Sequence, residues 1–349
     1  MRKEKIKEKL EEIKVDGLII TDLKNIYYLT DFLGTSALIL LTKEKDYFFT
    51  DDRYIEVANK QVKDMEIMSS RDPFSEIKKL SLNLKKVAFE DSLDFASYQE
   101  LKKSLNCELY PSHQLFMEIR QIKEALEIKK IKKACQITDQ AFLAVLNFIK
   151  VGKTELEVAN FLDFKMRELG ASGVSFETIV ASGKRSALPH GVASQKVIEF
   201  ADPITLDFGC FYQNYASDMT RTIFVGEVSD QMSKIYHTVK EANEVLIQKV
   251  KAGLAYSEVD RIPRELIEKA GYGSNFTHGI GHGFGLEVHE IPYFNQKIKD
   301  KFLKENMIIT DEPGIYLEGF AGVRIEDDLL VQKNTCEQLT LSPKELIVI

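Results

Sequence analysis

Five residues far apart in the chain, Asp207, Asp218, His282, Glu312 and Glu326, constrain the fold more than any other feature. Each lies in a short stretch dense in glycine, proline or β-forming residues: ITLDFGCF, YASDMTRTIFV, FTHGIGHGFGLEVHE, TDEPGIY and GVRIEDDLLV. Four carboxylates gathered in one pocket repel each other, and burial raises their pKa values. Two divalent cations remove that difficulty, because their charge balances four anionic ligands. The expectation is a fold that draws these stretches around two metal ions, as in a two-metal hydrolase.

Bulk properties exclude other classes. A chain of 349 residues with 44% hydrophobic and 29% charged content can bury a core in one large or two ordinary domains. The net charge of −7 argues against a nucleic-acid partner, whose phosphates need a clustered cationic face. The basic run Lys129, Lys130, Lys132 and Lys133 reads as a solvated helix face. Cys107, Cys135, Cys210 and Cys336 lie far apart without a CxxC pair, which suits reduced thiols in a cytoplasm. The opening MRKEKIKEKLEEIK alternates charges unlike a signal peptide, and apolar runs such as Ala37 to Leu41 are too short to span a bilayer. A cytoplasmic protein with no membrane partner is expected.

Residues 1–118 read as a smaller α/β domain of the doubly wound kind. DGLII, ALILL, DYFFT, VAFE and CELYP are strand-like, and DDRYIEVANK (51–60) and DFASYQELKK are helix-like. No phosphate-binding glycine motif occurs there. A linker near Tyr110 to Arg120 leads to a long helix expected from Glu124 to Ile149 and stopped by Gly152. Beyond it, helices near 154–169, 230–251 and 257–270 separate strands near 176–181, 203–211, 218–225, 306–310 and 323–331, an α+β pattern around an antiparallel sheet. Thr154 and Glu157 make a capping box. Gly152, Glu157, Val158 and Gly170 recur as Gly253, Glu258, Val259 and Gly271. The recurrence reflects either a duplicated half-domain or helix-capping chemistry alone.

Asp207 and Asp218 flank the segment FYQNYAS between two strand-like runs. Paired as a hairpin, those runs bring both carboxylates to one face near its mouth. In GVRIEDDLLV, period-two alternation puts Arg324 and Glu326 on one face, Val323 and Ile325 on the other. That is either a bridging carboxylate beside a cation able to hold a substrate carboxylate, or an edge strand with one wet face. Of six histidines, His190, His278, His282 and His289 fall in these unusual stretches. A single histidine is most simply a hydrogen-bonded core residue; four concentrated this way point to a site. Gly279, Gly281, Gly283 and Gly285 let the backbone approach closely and aim each ring separately. Their spacing departs from G-x-G-x-x-G, so a dinucleotide site is excluded.

The chain resembles the metal-dependent Xaa-Pro peptidases, aminopeptidase P and prolidase, of the creatinase and methionine aminopeptidase superfamily. FETIVASGKRSALPHG, ITLDFGCFYQNYASDMTRTIFVG, THGIGHGFGLEVHE, EPGIY and GVRIEDDLLV run in family order, while YYLTDFLG and TDDRY resemble the smaller N-terminal domain. All five ligand positions carry the expected residue types. Asp311 departs from the pattern, since an apolar residue is common there; on a strand it faces away from its neighbours. The resemblance implies a pita-bread metallopeptidase domain over 119–349 behind a creatinase-like α/β domain over 1–118. It implies that Asp207 chelates one metal, Asp218 and Glu326 bridge both, and His282 and Glu312 complete the second. Such oxygen-rich ligation suits Mn²⁺, with Co²⁺, Fe²⁺ or Zn²⁺ as alternatives.

By the same resemblance, the expected activity is hydrolysis of the Xaa-Pro bond of peptides or dipeptides by a metal-bridging hydroxide. Glu312 would move the proton, His289 would stabilise the oxyanion and His190 would position substrate, with His278 and Arg324 on the proline side. A free proline carboxylate in a dipeptidase makes Arg324 a candidate partner. The family's usual homodimer would let Asp52, Arg53 and Tyr54 reach a partner's pocket. Two alternatives stand beside this reading: a non-catalytic module on the same fold, and a methionine aminopeptidase-like specificity.

Overall fold

Short β-branched and aromatic runs between charged segments become the strands of the first of two units, Met1–Ile119, in the computed structural model, which describes residues 2–349. The strands are β1 (Gly17–Ile20), β2 (Ala37–Thr42), β3 (Tyr47–Thr50), β4 (Glu66–Ser69), β5 (Lys86–Phe89) and β6 (Glu108–Pro111), in the order β4-β3-β2-β1-β5-β6. Helices α1 (Arg2–Glu12), α2 (Leu23–Thr30), α3 (Ile55–Gln61), α4 (Pro73–Leu80), α5 (Phe95–Ser104) and α6 (Leu115–Arg120) alternate with them. The core of Ile19, Leu38, Leu40, Phe49, Ile77, Val87 and Leu101 is buried from water. Glu90 is buried with it, accepting the Thr21 and Asp22 N–H groups and the Asn25 amide; burial pushes its carboxyl up to about 7.

Two expectations need correction in this unit. The sheet is mixed rather than doubly wound: β2 runs antiparallel to both β1 and β3, while β1–β5, β3–β4 and β5–β6 are parallel. The turn after β2 is too short for the crossover that a parallel neighbour needs. The helix expected over 51–60 begins only at Ile55. Asp51 accepts the Arg53 backbone N–H at 2.9 Å and its guanidinium at 2.7 Å, which holds the preceding residues in a turn.

The second unit, Arg120–Ile349, builds one plan twice. Its first half comprises α7 (Ala125–Val145), α8 (Glu155–Glu168), β7 (Gly173–Val174), β8 (Ile179–Ser182), β9 (Pro203–Phe208), β10 (Cys210–Tyr212), β11 (Tyr215–Ala216) and β12 (Met219–Phe224). The second comprises α9 (Asp230–Ile247), α10 (Tyr256–Lys269), β13 (His282–Gly283), β14 (Glu290–Tyr293), β15 (Ile308–Asp311), β16 (Gly314–Leu317), β17 (Ala321–Arg324), β18 (Asp327–Val331) and β19 (Cys336–Gln338). The sheets β12-β9-β8 and β14-β13-β15-β18-β19 pair antiparallel throughout. One apolar core joins α7 and α8 to the first sheet through Phe142, Leu162, Leu206 and Met219. Another joins α9 and α10 to the second through Val239, Val259, Ile309 and Leu329.

The repeat has a structural counterpart beyond capping. Gly152 and Gly170 bracket α8 at φ +94° and +105°, and Gly253 and Gly271 bracket α10 at +88° and +91°. The Gly152 N–H donates to Ile198 O at 3.0 Å and the Gly253 N–H to Leu303 O at 2.8 Å. Matching bridges follow, Thr154 with Val197 and Ala255 with Phe302. Thr154 and Glu157 form the reciprocal capping box, whereas Ala255 offers no side-chain cap. Capping chemistry alone therefore does not explain the repeat.

Several boundaries shift. The helix expected to reach Ile149 ends at Val145, and Gly209 separates β9 from β10. The run expected as one strand over 323–331 breaks between Arg324 and Asp327. Neither of its faces is wet, since Val323 to Val331 are all buried. No helix among the described residues is long and apolar enough to cross a membrane.

Candidate metal centre

The hairpin of β9 and β12 pairs Asp207 with Thr220 and Phe208 with Met219, which sets Asp207 and Asp218 near its mouth. Gly209 lets the two strands close up beside that mouth, because a Cβ there would lie 1.9 Å from Ser217 O. The Asp218 backbone N–H is held at 3.0 Å by the buried Asp328 carboxylate. From the second half, Glu312 follows β15 and Glu326 occupies the break between β17 and β18. The Glu326 N–H donates to Thr220 O at 3.0 Å, tying that break to the first hairpin. The Thr220 hydroxyl donates to Glu326 Oε2 at 2.6 Å and accepts from Arg324 Nε at 3.0 Å.

His282 sits at a bulge in β13. Gly281 before it passes so close to β15 that a Cβ would lie 2.3 Å from Thr310 O. The Thr310 hydroxyl accepts the His282 N–H at 3.0 Å and lies 3.3 Å from Glu312 Oε1, so it links two candidate ligands. His282 Nδ1 faces Gly283 O at 3.1 Å; a carbonyl only accepts, so Nδ1 carries the proton. The Nε2 lone pair then faces Asp218 Oδ2 at 3.8 Å and Glu312 Oε1 at 3.5 Å. Lone pairs opposed at that spacing repel unless a cation lies between them.

Ligand atoms of Asp218, His282 and Glu326 all lie within 4.8 Å of one another. With Asp207 and Glu312 they line one cavity of about 460 Å³, which His190, His278, His289 and Arg324 also line. Burial first, then the neighbouring carboxylates, push Asp218 and Glu326 well above the usual carboxylate range; burial also raises Glu312. Burial holds His282, His278 and His289 below the ordinary imidazole value. Asp207 Oδ1 is buried with no hydrogen-bond partner. An orphaned carboxylate oxygen, crowded acids and a neutral imidazole aimed at them make a donor set that fits divalent cations.

The remaining expected residues are placed as follows. The Arg324 guanidinium donates to Asp207 Oδ2 at 2.6 Å, the Tyr316 hydroxyl at 2.8 Å and Pro189 O at 3.1 Å, besides Thr220. Four of its five N–H groups are thus committed inside the protein, which leaves one for a substrate carboxylate. His278 Nδ1 donates to Gly279 O and Nε2 meets the Tyr316 hydroxyl, both at 2.8 Å. The His289 ring lies 4.4 Å from that of His282, at 54°. Asp311 faces away from the cavity, where the Asn243 amide donates to it at 3.3 Å. In the first unit, Arg53 pairs with Asp51, Tyr54 bonds Thr35, and the Asp52 side chain is exposed.

Tyr316, Thr220 and Thr310 escaped the sequence reading. The two threonines had a usable signal, because each stands two residues from a carboxylate at the end of a strand-like run, where alternation gives both one face. Thr220→Val keeps the volume and removes the proton given to Glu326. Metal affinity is expected to fall about 10–100-fold, the usual effect of losing an outer hydrogen bond to a ligand. Calorimetric titration of the chelated protein measures it, and an unchanged affinity would reject the role.

Residues 129–333 match the model of metallopeptidase family M24, and residues 2–122 match the creatinase/prolidase N-terminal domain. A solved Xaa-Pro dipeptidase from Bacillus anthracis superposes with TM-score 0.97 at 44% identity, covering 100% of this chain and 99% of that one. The X-Pro aminopeptidase from Thermotoga maritima superposes with TM-score 0.91 at 37% identity, covering 98% and 100%. The Xaa-Pro dipeptidase of Pyrococcus horikoshii is 39% identical over 98% of this chain and 97% of its own.

Proposed function

Because this chain belongs to metallopeptidase family M24, with a pita-bread domain behind a creatinase/prolidase N-terminal domain, we propose that it hydrolyses the Xaa-Pro bond at the N-terminus of peptides or dipeptides. The observation that carries the proposal is the convergence of Asp207, Asp218, His282, Glu312 and Glu326 on one cavity. We assign the catalytic domain to 119–349 and the N-terminal domain to 1–118. Asp207 would hold one divalent ion, His282 and Glu312 the other, and Asp218 and Glu326 would serve both, with Mn²⁺ the best match to the oxygen-rich set. When bound, such ions acidify a water and polarise the scissile carbonyl.

The chain's own residues do the rest. Glu312, its carboxyl raised by burial and its Oε1 held near Thr310, takes a proton and passes it to the proline nitrogen. That nitrogen bears no hydrogen in the peptide and leaves as a secondary amine. His289, exposed beside His282, stabilises the developing oxyanion, and His190 at the cavity edge positions substrate. His278 and Arg324, joined through Tyr316, form the proline side. The metal-loaded protein is expected to cleave Ala-Pro and to leave Ala-Ala intact. Inertness toward both Ala-Pro and Ala-Pro-Ala would overturn the reading, and the ratio of their rates assigns dipeptidase or aminopeptidase.

The proposed setting is a cytoplasmic homodimer. Free Cys135 and Cys210, buried and unbridged, suit a reducing compartment. Light scattering is expected to give twice the 39.8 kDa chain mass. A fully active monomer would remove any contribution of Asp52, Arg53 or Tyr54 to a partner's pocket.

A further inference from the structure

His289 stands on a short turn anchored by charges that the proposed chemistry does not use. Arg120 and Lys123, just ahead of α7, are 3% and 1% exposed at their side chains, and Glu290 is 2% exposed. Arg120 Nη2 binds Glu290 Oε1 and lies 2.9 Å from Glu287 Oε2. Lys123 Nζ lies 3.5 Å from Glu290 Oε2. Buried ion clusters contribute little net stability against apolar replacements, so a cluster this dry is better explained by the geometry it enforces.

That geometry is specific. Glu290 Oε1 also accepts the Glu287 N–H at 3.1 Å, closing the turn 287–290 with His289 inside it. The Gly285 N–H donates to Glu287 O at 2.9 Å, and Gly285 O accepts from Ala216 N at 2.8 Å, which ties the turn to β11. A Cβ on Gly285 would lie 3.1 Å from Lys123 Cε and 3.2 Å from Glu290 Oε2, a tight fit that would make the ion cluster give by a few tenths of an ångström. On its other side Glu290 pairs with Gly283, the neighbour of His282. One residue therefore holds the chain on either side of His289, through its carboxylate at Glu287 and through its backbone at Gly283.

We propose that Glu290, clamped by Arg120 and Lys123, is a positioning residue that aims the His289 ring across His282 into the cavity. The inference rests on the reading of His289 as the oxyanion stabiliser. Glu290→Gln keeps the shape, but one of its two terminal atoms becomes a donor facing donors. Full metal content is expected to be retained, with kcat down about 10–100-fold and KM little changed, because misplacing a catalytic group by about an ångström has that effect. In a His289→Ala background the same change is expected to add no further loss, since a residue acting only through His289 has nothing left to position.

A second readout does not depend on turnover. In ¹⁵N-histidine spectra of the zinc-loaded full chain, Glu290→Gln is expected to shift or broaden the resonance lost in His289→Ala, and to leave those of His190 and His278 in place. An unmoved His289 resonance, or losses that multiply in the double variant, would overturn the proposal. Should Glu290→Gln fail to fold, Lys123→Met keeps the carboxylate on Arg120 and the Glu287 N–H. It is expected to show a smaller kcat loss with the same non-additivity. If the parent protein turns over no Xaa-Pro peptide, the proposed function fails while the spectra still decide whether Glu290 places His289.

Discussion

Glu326→Ala is expected to lower turnover by about 10³-fold, equivalent to about 4 kcal/mol of transition-state stabilisation, and to reduce bound metal from two tight ions to one. Glu326 is buried at a strand break, with its N–H on Thr220 O and its Oε2 taking the Thr220 hydroxyl. One of its carboxylate oxygens lies within 4.8 Å of a carboxylate oxygen of Asp218 and a ring nitrogen of His282, a spacing that a shared cation would bridge. Alanine would remove a donor from each ion at once, whereas losing a terminal ligand such as Asp207 would take a donor from one ion only. Elemental analysis of the gel-filtered variant checks the stoichiometry. Two tightly held ions in Glu326→Ala would refute the bridging role, and full activity with them would refute the centre.

Chelation is expected to destabilise the protein by an amount that grows with pH. Folding raises the carboxyls of Asp218, Glu326 and Glu312 above their ordinary values, burial first and neighbouring carboxylates next. A carboxyl raised in the folded state contributes stability that is fully present below its unfolded pKa, near 4, and is lost as pH climbs through the folded value. The chelated protein should therefore melt at progressively lower temperature from about pH 5 to pH 8. Cations that pair with the ionised carboxylates remove this trend, and their binding releases the displaced protons. At metal concentrations about 1,000 times Kd the added stability is about 4 kcal/mol, a rise on the order of 10 °C for a unit of this size. Melting curves with and without chelator across that pH range measure the gap. A gap that stays constant or narrows toward pH 8 would count against carboxylates forced together for a metal.

The parts of the site legible in the sequence share one property: their chemistry is carried by residue type beside a backbone that must come close. Asp207 and His282 stand in stretches where Gly209 and Gly281 leave no room for a Cβ, and they reach one cavity with Asp218, Glu312 and Glu326. The antiparallel pairing of β2 with β1 was not legible, because their connection through α2 allows either direction and local patterning is the same both ways, whereas the short turn from β2 to β3 already excluded a parallel pair. Arg324 illustrates the same limit. Alternation put it on the site's face, but its partners Asp207 and Thr220 stand 117 and 104 residues away.

Arg120 and Lys123 show the limit most clearly. At three residues apart before a helix, they read as the end of a linker, and nothing nearby in sequence marks either as buried. Their shared partner Glu290 lies 170 and 167 residues on. Residue chemistry and the glycines around it are properties of the chain, so five candidate ligands and the class of reaction could be read before any fold was known. Which cation meets which anion, and where a strand breaks to present a carboxylate, depends on distances that exist only once the two halves have packed.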